Sequence, residues 1–171
     1  PLEDGKITVA RAGGTFTFPA RFMLCASMNP CPCGNYGSAE KVCTCSPAEI
    51  RRYRRKISGP LLDRIDLQVE VDNVPYEALA SDSRQESSAA VRERVNVARA
   101  IQNVRFEESG IRTNAEMSER ELAAYCRLSG EGEEILREAF ERMKLSARAR
   151  SRILKVARTI ADLAASEEIL P

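Results

Sequence analysis

Two segments in the first half of the chain alternate between apolar and polar residues, and a short apolar run lies between them. Residues 7–18 alternate on both sides of a glycine turn at 12–14, which predicts a β-hairpin. The apolar run at 21–26 predicts a buried strand that ends before Asn29. Residues 65–71 alternate again and predict a strand with one buried face.

A helix is predicted between these strands. Residues 46–49, Ser-Pro-Ala-Glu, form a capping box with proline at the first helical position. Ile50, Tyr53 and Ile57 then fall on one face of the helix. The arginines between them are therefore expected to point outward.

After residue 75 the strand patterns disappear and helical spacing replaces them. The polar residues 81–88 predict a linker, and helices are predicted at 89–107, 119–128, 131–144 and 147–165. A second capping box begins at Ser118. In the last helix an apolar stripe is predicted to face the core, formed by Ile153, Val156, Ala157, Ile160, Ala161 and Ala164.

These elements predict an α/β part over residues 1–74 followed by an all-α module over 75–171. The chain is 43% hydrophobic, which excludes a disordered protein. It has no apolar run of membrane-spanning length and no secretory signal, so we expect a soluble, cytoplasmic protein without a membrane partner. Because it does not begin with Met, we expect a piece of a longer protein.

Charge is nearly balanced overall, with 26 basic and 25 acidic residues, but it is unevenly distributed. Residues 51–56, RRYRRK, are almost all basic, and no acidic residue lies between Arg142 and Arg158. Such segments can form a positive surface for phosphate, or they can be solvated helix faces beside their counter-charges.

The chain has no histidine, which excludes Ser–His and Cys–His catalysis and histidine-containing metal sites. Cys31, Cys33, Cys43 and Cys45 form a C-x-C-x9-C-x-C pattern in a loop with few apolar residues. This pattern leaves two alternatives, a tetrahedral zinc site or four reduced, unliganded thiols. The remaining cysteines, Cys25 and Cys126, lie in apolar stretches and are predicted to be core residues.

Three polar residues lie where a ligand could reach them. Asn29 follows the predicted strand at 21–26 and could orient a water or a phosphate, or simply form a turn before proline. Arg64 lies on a Gly-Pro turn and could bind phosphate, or pair with a neighbouring aspartate. Arg148 lies in the first turn of the last helix, where a cation opposes the helix dipole.

The chain resembles the magnesium-chelatase-like AAA+ proteins of bacteria, the YifB/ComM family, in three segments: FPARFMLCASMNPCPCGNYG, SPAEIRRYRRKISGPLLDRIDL and SARARSRILKVARTIADL. This resemblance implies an α/β remnant of an AAA+ P-loop NTPase core, followed by an all-α helical lid domain. It also implies a homo-oligomeric ring, expected to be a hexamer, with nucleotide bound between core and lid at the seam between subunits.

By position, Asn29 resembles the sensor-1 residue that aligns the attacking water. Arg64 is similar to the arginine finger that acts on ATP in the neighbouring subunit. Arg148 resembles the sensor-2 arginine of the lid, and Arg152 is the alternative for that role. The hairpin at 7–18 resembles an insertion that faces the pore in related rings, where its basic side chains could touch DNA.

The sequence also departs from the family pattern. No Gly-x-x-x-x-Gly-Lys-[Ser/Thr] motif exists in these 171 residues, and no apolar strand ends in the Asp-Glu that would hold Mg²⁺. ATP and Mg²⁺ are therefore expected as cofactors of the full-length parent only. The chain alone is predicted neither to bind ATP tightly nor to hydrolyse it.

The better-known members of this family are branch-migration helicases, so the resemblance implies a protein that acts on DNA. The leading hypothesis is thus that the chain is the C-terminal part of an AAA+ ATPase that remodels DNA. The first alternative is a chelatase-type motor subunit for metal insertion into a tetrapyrrole. The second is a non-enzymatic zinc module that binds nucleic acid through RRYRRK.

Overall fold

A computed structural model describes Leu2, residues 4–71, Tyr76 and residues 86–171. The chain divides into a first unit, Pro1–Pro75, and a second unit, Tyr76–Pro171. The predicted linker at 81–88 lies largely outside the described residues. None of the described helices combines the length and apolar character that a membrane crossing requires.

The first unit opens with the predicted hairpin, which is confirmed. Strands β1 (Lys6–Arg11) and β2 (Gly14–Pro19) pair antiparallel, with Lys6 opposite Pro19 and Arg11 opposite Gly14. Gly14 adopts a φ of 135°, which other residues rarely reach, so glycine is needed where the chain reverses.

The strands predicted at 21–26 and 65–71 do not form, and these predictions are wrong for the described chain. Both segments lack regular secondary structure, and most of their apolar side chains are exposed, Met23 by 92% and Val71 by 85%. Cys25, predicted to be a core residue, is exposed as well. A strand forms only where a neighbouring strand satisfies its backbone N–H and C=O groups, and no described segment pairs with these two.

Helix α1 (Pro47–Arg54) begins at the predicted capping box. The Ser46 side chain accepts a hydrogen bond from the Glu49 amide, and the Glu49 carboxylate accepts one from the Ser46 amide. Ile50 and Tyr53 are half-buried, whereas the arginines of the helix are exposed, as predicted. A short helix α2 (Gly59–Leu62), not predicted, begins at a Ser58 cap and precedes Arg64.

The second unit contains the predicted helices. These are α3 (Ser88–Arg105), a 3-10 turn (Asn114–Glu116), α4 (Glu119–Tyr125), α5 (Gly130–Met143) and α6 (Ala147–Leu163). Their bounds agree with the prediction to within three residues because each helix begins at a serine cap. The side chains of Ser87, Ser118, Ser129 and Ser146 each accept a hydrogen bond from a first-turn amide.

The core of this unit forms where α6 packs against α3, the 3-10 turn and α4. Phe106 meets Tyr125 edge to face, with ring centroids 5.7 Å apart. Cys126 is buried, which confirms its prediction as a core residue. The core consists of Phe106, Met117, Leu122, Cys126, Leu136, Leu154, Ala161 and Ile169.

The apolar stripe predicted on α6 is partly wrong. Ile153 and Ile160 are exposed, by 38% and 61%, although both belong to the predicted stripe. Ala161 of the stripe is buried as predicted, together with Leu154, Arg158 and Asp162, which were not part of it. The helix is therefore turned toward a face that carries an arginine and an aspartate, because these two groups find partners inside the unit.

Candidate functional site

Four cysteine side chains converge in the loop between β2 and α1. The sulfur of Cys31 lies 3.3 Å from that of Cys33 and 3.7 Å from that of Cys43, and Cys33 and Cys43 are 3.6 Å apart. Cys45 completes the group, and all four sulfurs lie within 4.8 Å of one another. All are free thiols, and Cys31 is fully buried. These spacings are the size of a tetrahedral metal shell.

Local turns bring the two cysteine pairs together. The Gly34 amide donates to the Cys31 carbonyl at 3.1 Å, and Gly34 has a φ of 82°, which places the chain after Cys33 in a left-handed turn. Further along the loop, the Ser38 hydroxyl accepts hydrogen bonds from the amides of Glu40 and Lys41. The chain thus reverses between the two C-x-C pairs.

The thiols of this loop differ in pKa. Hydrogen bonds from the backbone amides of Asn35 and Thr44 lower the pKa of Cys33 to about 5. Burial, together with the neighbouring sulfurs of Cys33 and Cys31, raises the pKa of Cys45 to about 12. Thiolates so close together repel one another unless a cation lies between them.

One arginine links this loop to α1. The Arg54 Nε donates to the Pro30 carbonyl at 3.4 Å, and its guanidinium carbon lies 5.0 Å from the centroid of the Tyr36 ring. Both contacts join the cysteine loop to the last turn of the helix. The side chains of Arg51, Arg52 and Arg55 are exposed on the same helix or at its end.

The predicted phosphate-directed residues are divided between the two units of the chain. Asn29 is exposed beside the cysteine loop, with its Nδ2 4.0 Å from where a Cβ on Gly34 would lie. Arg64 is half-buried just after α2, and its Nη1 donates to the Pro60 carbonyl at 2.7 Å. Arg148 is exposed in the first turn of α6, and Arg152 is half-buried one turn later. The first two belong to the first unit and the last two to the second.

Comparison with known proteins places both units in one group. Residues 1–79 match the family described as magnesium chelatase, subunit ChlI, and residues 85–171 match the C-terminal part of the same subunit. The chain belongs to the magnesium chelatase ChlI family. Within this family, the matched regions contain the cysteine loop and Arg64 in one part, and Arg148 and Arg152 in the other.

Similar proteins extend the match along nearly the whole chain. The competence protein ComM of Haemophilus influenzae is 43% identical over 99% of this chain, and the protein YifB of Escherichia coli is 40% identical over the same share. A Mycobacterium tuberculosis protein is 43% identical over 96% of it. The chain spans 32% of the length of each of these relatives.

The second unit of this family member also contains a buried polar network that sequence reasoning missed. Asp162 is fully buried and accepts two hydrogen bonds from Arg105, at 2.5 and 2.8 Å. Its carboxylate also accepts from Asn114 Nδ2 at 2.7 Å and from Arg158 Nε at 3.1 Å. Every partner of the carboxylate is a donor, so the negative charge is well satisfied in the core.

This network joins three parts of the chain. Arg105 ends α3, Asn114 begins the 3-10 turn, and Arg158 also donates to the carbonyls of Ser166 and Glu167 in the C-terminal segment. Burial raises the pKa of Asp162, but the hydrogen bonds from Arg105 and Asn114 outweigh it and hold the pKa below its ordinary value. The i,i+4 spacing of Arg158 and Asp162 was the available sequence signal.

Proposed function

We propose that this chain is the C-terminal part of a ring-forming AAA+ ATPase that couples ATP hydrolysis to DNA remodelling. The observation that carries the proposal is the match to a competence protein, 43% identical over 99% of the chain. Competence is the state in which a cell takes up DNA, so the client of that relative is expected to be DNA. The match of both units to one chelatase subunit supports a common motor.

In this proposal Arg64 is the arginine finger that stabilises the transition state on ATP held by a neighbouring subunit. A guanidinium can approach two phosphate oxygens at once, and the charge that it neutralises develops only during the reaction. The hydrogen bond from Arg64 Nη1 to the Pro60 carbonyl supports this role, because it restricts where the guanidinium can lie just after α2.

Asn29 is proposed to align the attacking water as sensor 1. Arg148 is proposed to contact the nucleotide from the lid as sensor 2, with Arg152 as the alternative. The first turn of α6 is a suitable location for Arg148 because the side chain is exposed there. The phosphate cradle and the Mg²⁺ ligands would come from the part of the longer relatives that this chain does not span.

DNA contact is proposed for two basic regions of the first unit. The exposed face of α1 carries Arg51 and Arg52, and the hairpin carries Lys6 and Arg11, which are exposed at the ends of β1. Charges on such exposed surfaces attract the phosphate backbone without reading its sequence. Their arrangement in a homo-oligomeric ring, proposed as a hexamer, would place one set on every subunit.

A chelatase-type motor that drives metal insertion into a tetrapyrrole is the second candidate, favoured by the family description itself. The third is a non-enzymatic module that binds nucleic acid through the basic face of α1 and a zinc loop. Both of these share the fold with the leading proposal and differ from it in the client or in the need for ATP.

The test is ATP hydrolysis by the full-length protein, with and without branched DNA. We expect DNA to stimulate turnover and Arg64→Ala to lower the rate by about 10³- to 10⁵-fold, the range for loss of an arginine finger. Arg64→Lys should not restore it, since a single ammonium lacks the planar fork. Arg120→Ala is the matched control, because Arg120 is an exposed arginine of α4.

Each other outcome selects a different function. Turnover that needs Arg64 but ignores DNA favours the chelatase-type motor. Salt-sensitive DNA binding without any ATP hydrolysis favours the non-enzymatic module. An unchanged rate in Arg64→Ala shows that the arginine finger has been assigned to the wrong residue.

A further inference from the structure

We propose that Cys31, Cys33, Cys43 and Cys45 bind one Zn²⁺ ion in a closed structural site that holds the loop at 30–45 on helix α1. The proposal is independent of the ATPase function, since it concerns what folds this part of the first unit. It chooses between the two alternatives that the C-x-C-x9-C-x-C pattern leaves open.

The geometry of the sulfurs carries the argument. A zinc ion bonded to four thiolates at about 2.3 Å places neighbouring sulfurs about 3.8 Å apart. Three of the distances in this cluster are 3.3, 3.6 and 3.7 Å, and every pair lies within 4.8 Å. These separations are far longer than a disulfide bond of about 2.05 Å, so the cysteines are grouped without being oxidised.

The donor set selects the metal. Four thiolates are soft ligands that favour zinc over Mg²⁺ or Ca²⁺, which prefer oxygen. A shell of four protein ligands leaves no open position for water or substrate, which is typical of structural sites.

The loop has little else to hold it. Among the described residues of the first unit, Cys31 alone is buried, and Val42 in the same loop is 86% exposed. Small loops that bury so little apolar surface cannot offset the entropy of ordering their backbone. Metal coordination supplies the missing free energy in such loops, and it disappears with the metal.

The site also explains the contacts of Arg54. The carbonyl of Pro30 adjoins Cys31, and Tyr36 follows Cys33, so both acceptors of Arg54 belong to the metal loop. With the metal bound, these groups are fixed opposite the last turn of α1. Loss of the metal should therefore release the loop from the helix, and the exposed Asn29 beside it should lose its position.

The experiment measures metal in the full-length protein purified without chelators. Elemental analysis of the wild type is expected to show one zinc per chain more than in Cys31→Ser or Cys43→Ser. Cys25→Ser is the matched control, because Cys25 is an exposed cysteine outside the cluster, and it should keep its zinc. Co²⁺ exchanged into the site should give the absorption bands of a tetrahedral thiolate complex.

A second measurement uses only the wild type, so it remains valid if the cysteine variants fail to fold. In the wild type, the number of thiols that react with a disulfide reagent should rise by four when a strong chelator removes the metal. Absence of zinc with no uptake of added Zn²⁺, or zinc that survives Cys43→Ser, would overturn the proposal. Iron in place of zinc would also overturn it, and would reassign the same four ligands.

Discussion

The two units of this chain differ in what stabilises each of them internally. The second unit buries a core of apolar side chains around α6 and places a satisfied carboxylate inside it. In the first unit, Cys31 is the single buried residue among those described, and large apolar side chains such as Phe22, Met23 and Leu67 are exposed. An apolar core thus forms within the second unit, whereas the described residues of the first unit form none.

This contrast shows that belonging to one family does not make two units equally self-sufficient. The second unit satisfies its backbone within helices, which need no partner segment. The first unit has strand-forming sequences whose hydrogen-bonding partners would have to come from other segments. Because the chain spans 32% of its relatives, we infer that those partners lie in the remaining part of the longer proteins.

Among substitutions that test this comparison, Asp162→Ala is expected to lower the free energy of unfolding most. The substitution leaves the buried Arg158 and the half-buried Arg105 without their counter-charge, and breaking a buried ion pair typically costs about 3–5 kcal/mol. The free energy of unfolding in urea should fall by this amount and the helical signal should be lost in the same transition. Glu138→Ala, at an exposed position of α5, should change it by less than about 0.5 kcal/mol. Equal effects of the two substitutions would show that the buried network contributes nothing.

A smaller effect is expected from removing apolar side chains in the two units. Leu154 is 2% exposed, so Leu154→Ala should destabilise the second unit by about 2–5 kcal/mol. Met23 is 92% exposed, so Met23→Ala should be neutral to within about 0.5 kcal/mol in this chain. Urea denaturation measures both.

Met23→Ala in the full-length protein tests whether the first unit finds its missing partners there. If the segment at 21–26 pairs with strands of the remaining part, Met23→Ala should destabilise that protein while it leaves this chain unaffected. A neutral result in both would contradict our inference about the missing partners.

The smallest effect concerns pH. The folded-state pKa of Asp162 lies below its unfolded value of about 3.9, because Arg105 and Asn114 stabilise the ionised form despite burial. Its contribution to stability is therefore complete above that value and is lost as the pH falls through the folded pKa. As the pH falls below about 5, the free energy of unfolding of the wild type should decrease more steeply than that of Asp162→Asn. Parallel curves from urea denaturation at each pH would contradict this assignment.

Local interactions made much of this protein predictable from its sequence. The hairpin follows from glycine at the reversal, and the helix starts follow from serine caps at Ser46, Ser118 and Ser146. Each of these depends on groups a few residues apart, so the sequence nearby contains the whole interaction. The spacing of the four cysteines likewise made a metal-binding cluster one of two alternatives, and the four sulfurs do converge.

The tertiary structure alone decided the rest. Alternation at 65–71 could not show whether a partner strand was present, and in the described chain none pairs with it. Apolar residues on α6 predicted a face through Ile153 and Ile160, yet the helix buries Arg158 and Asp162, because Arg105 and Asn114 arrive from distant segments to satisfy them. Burial of a charge is decided by such distant partners, which no local pattern contains.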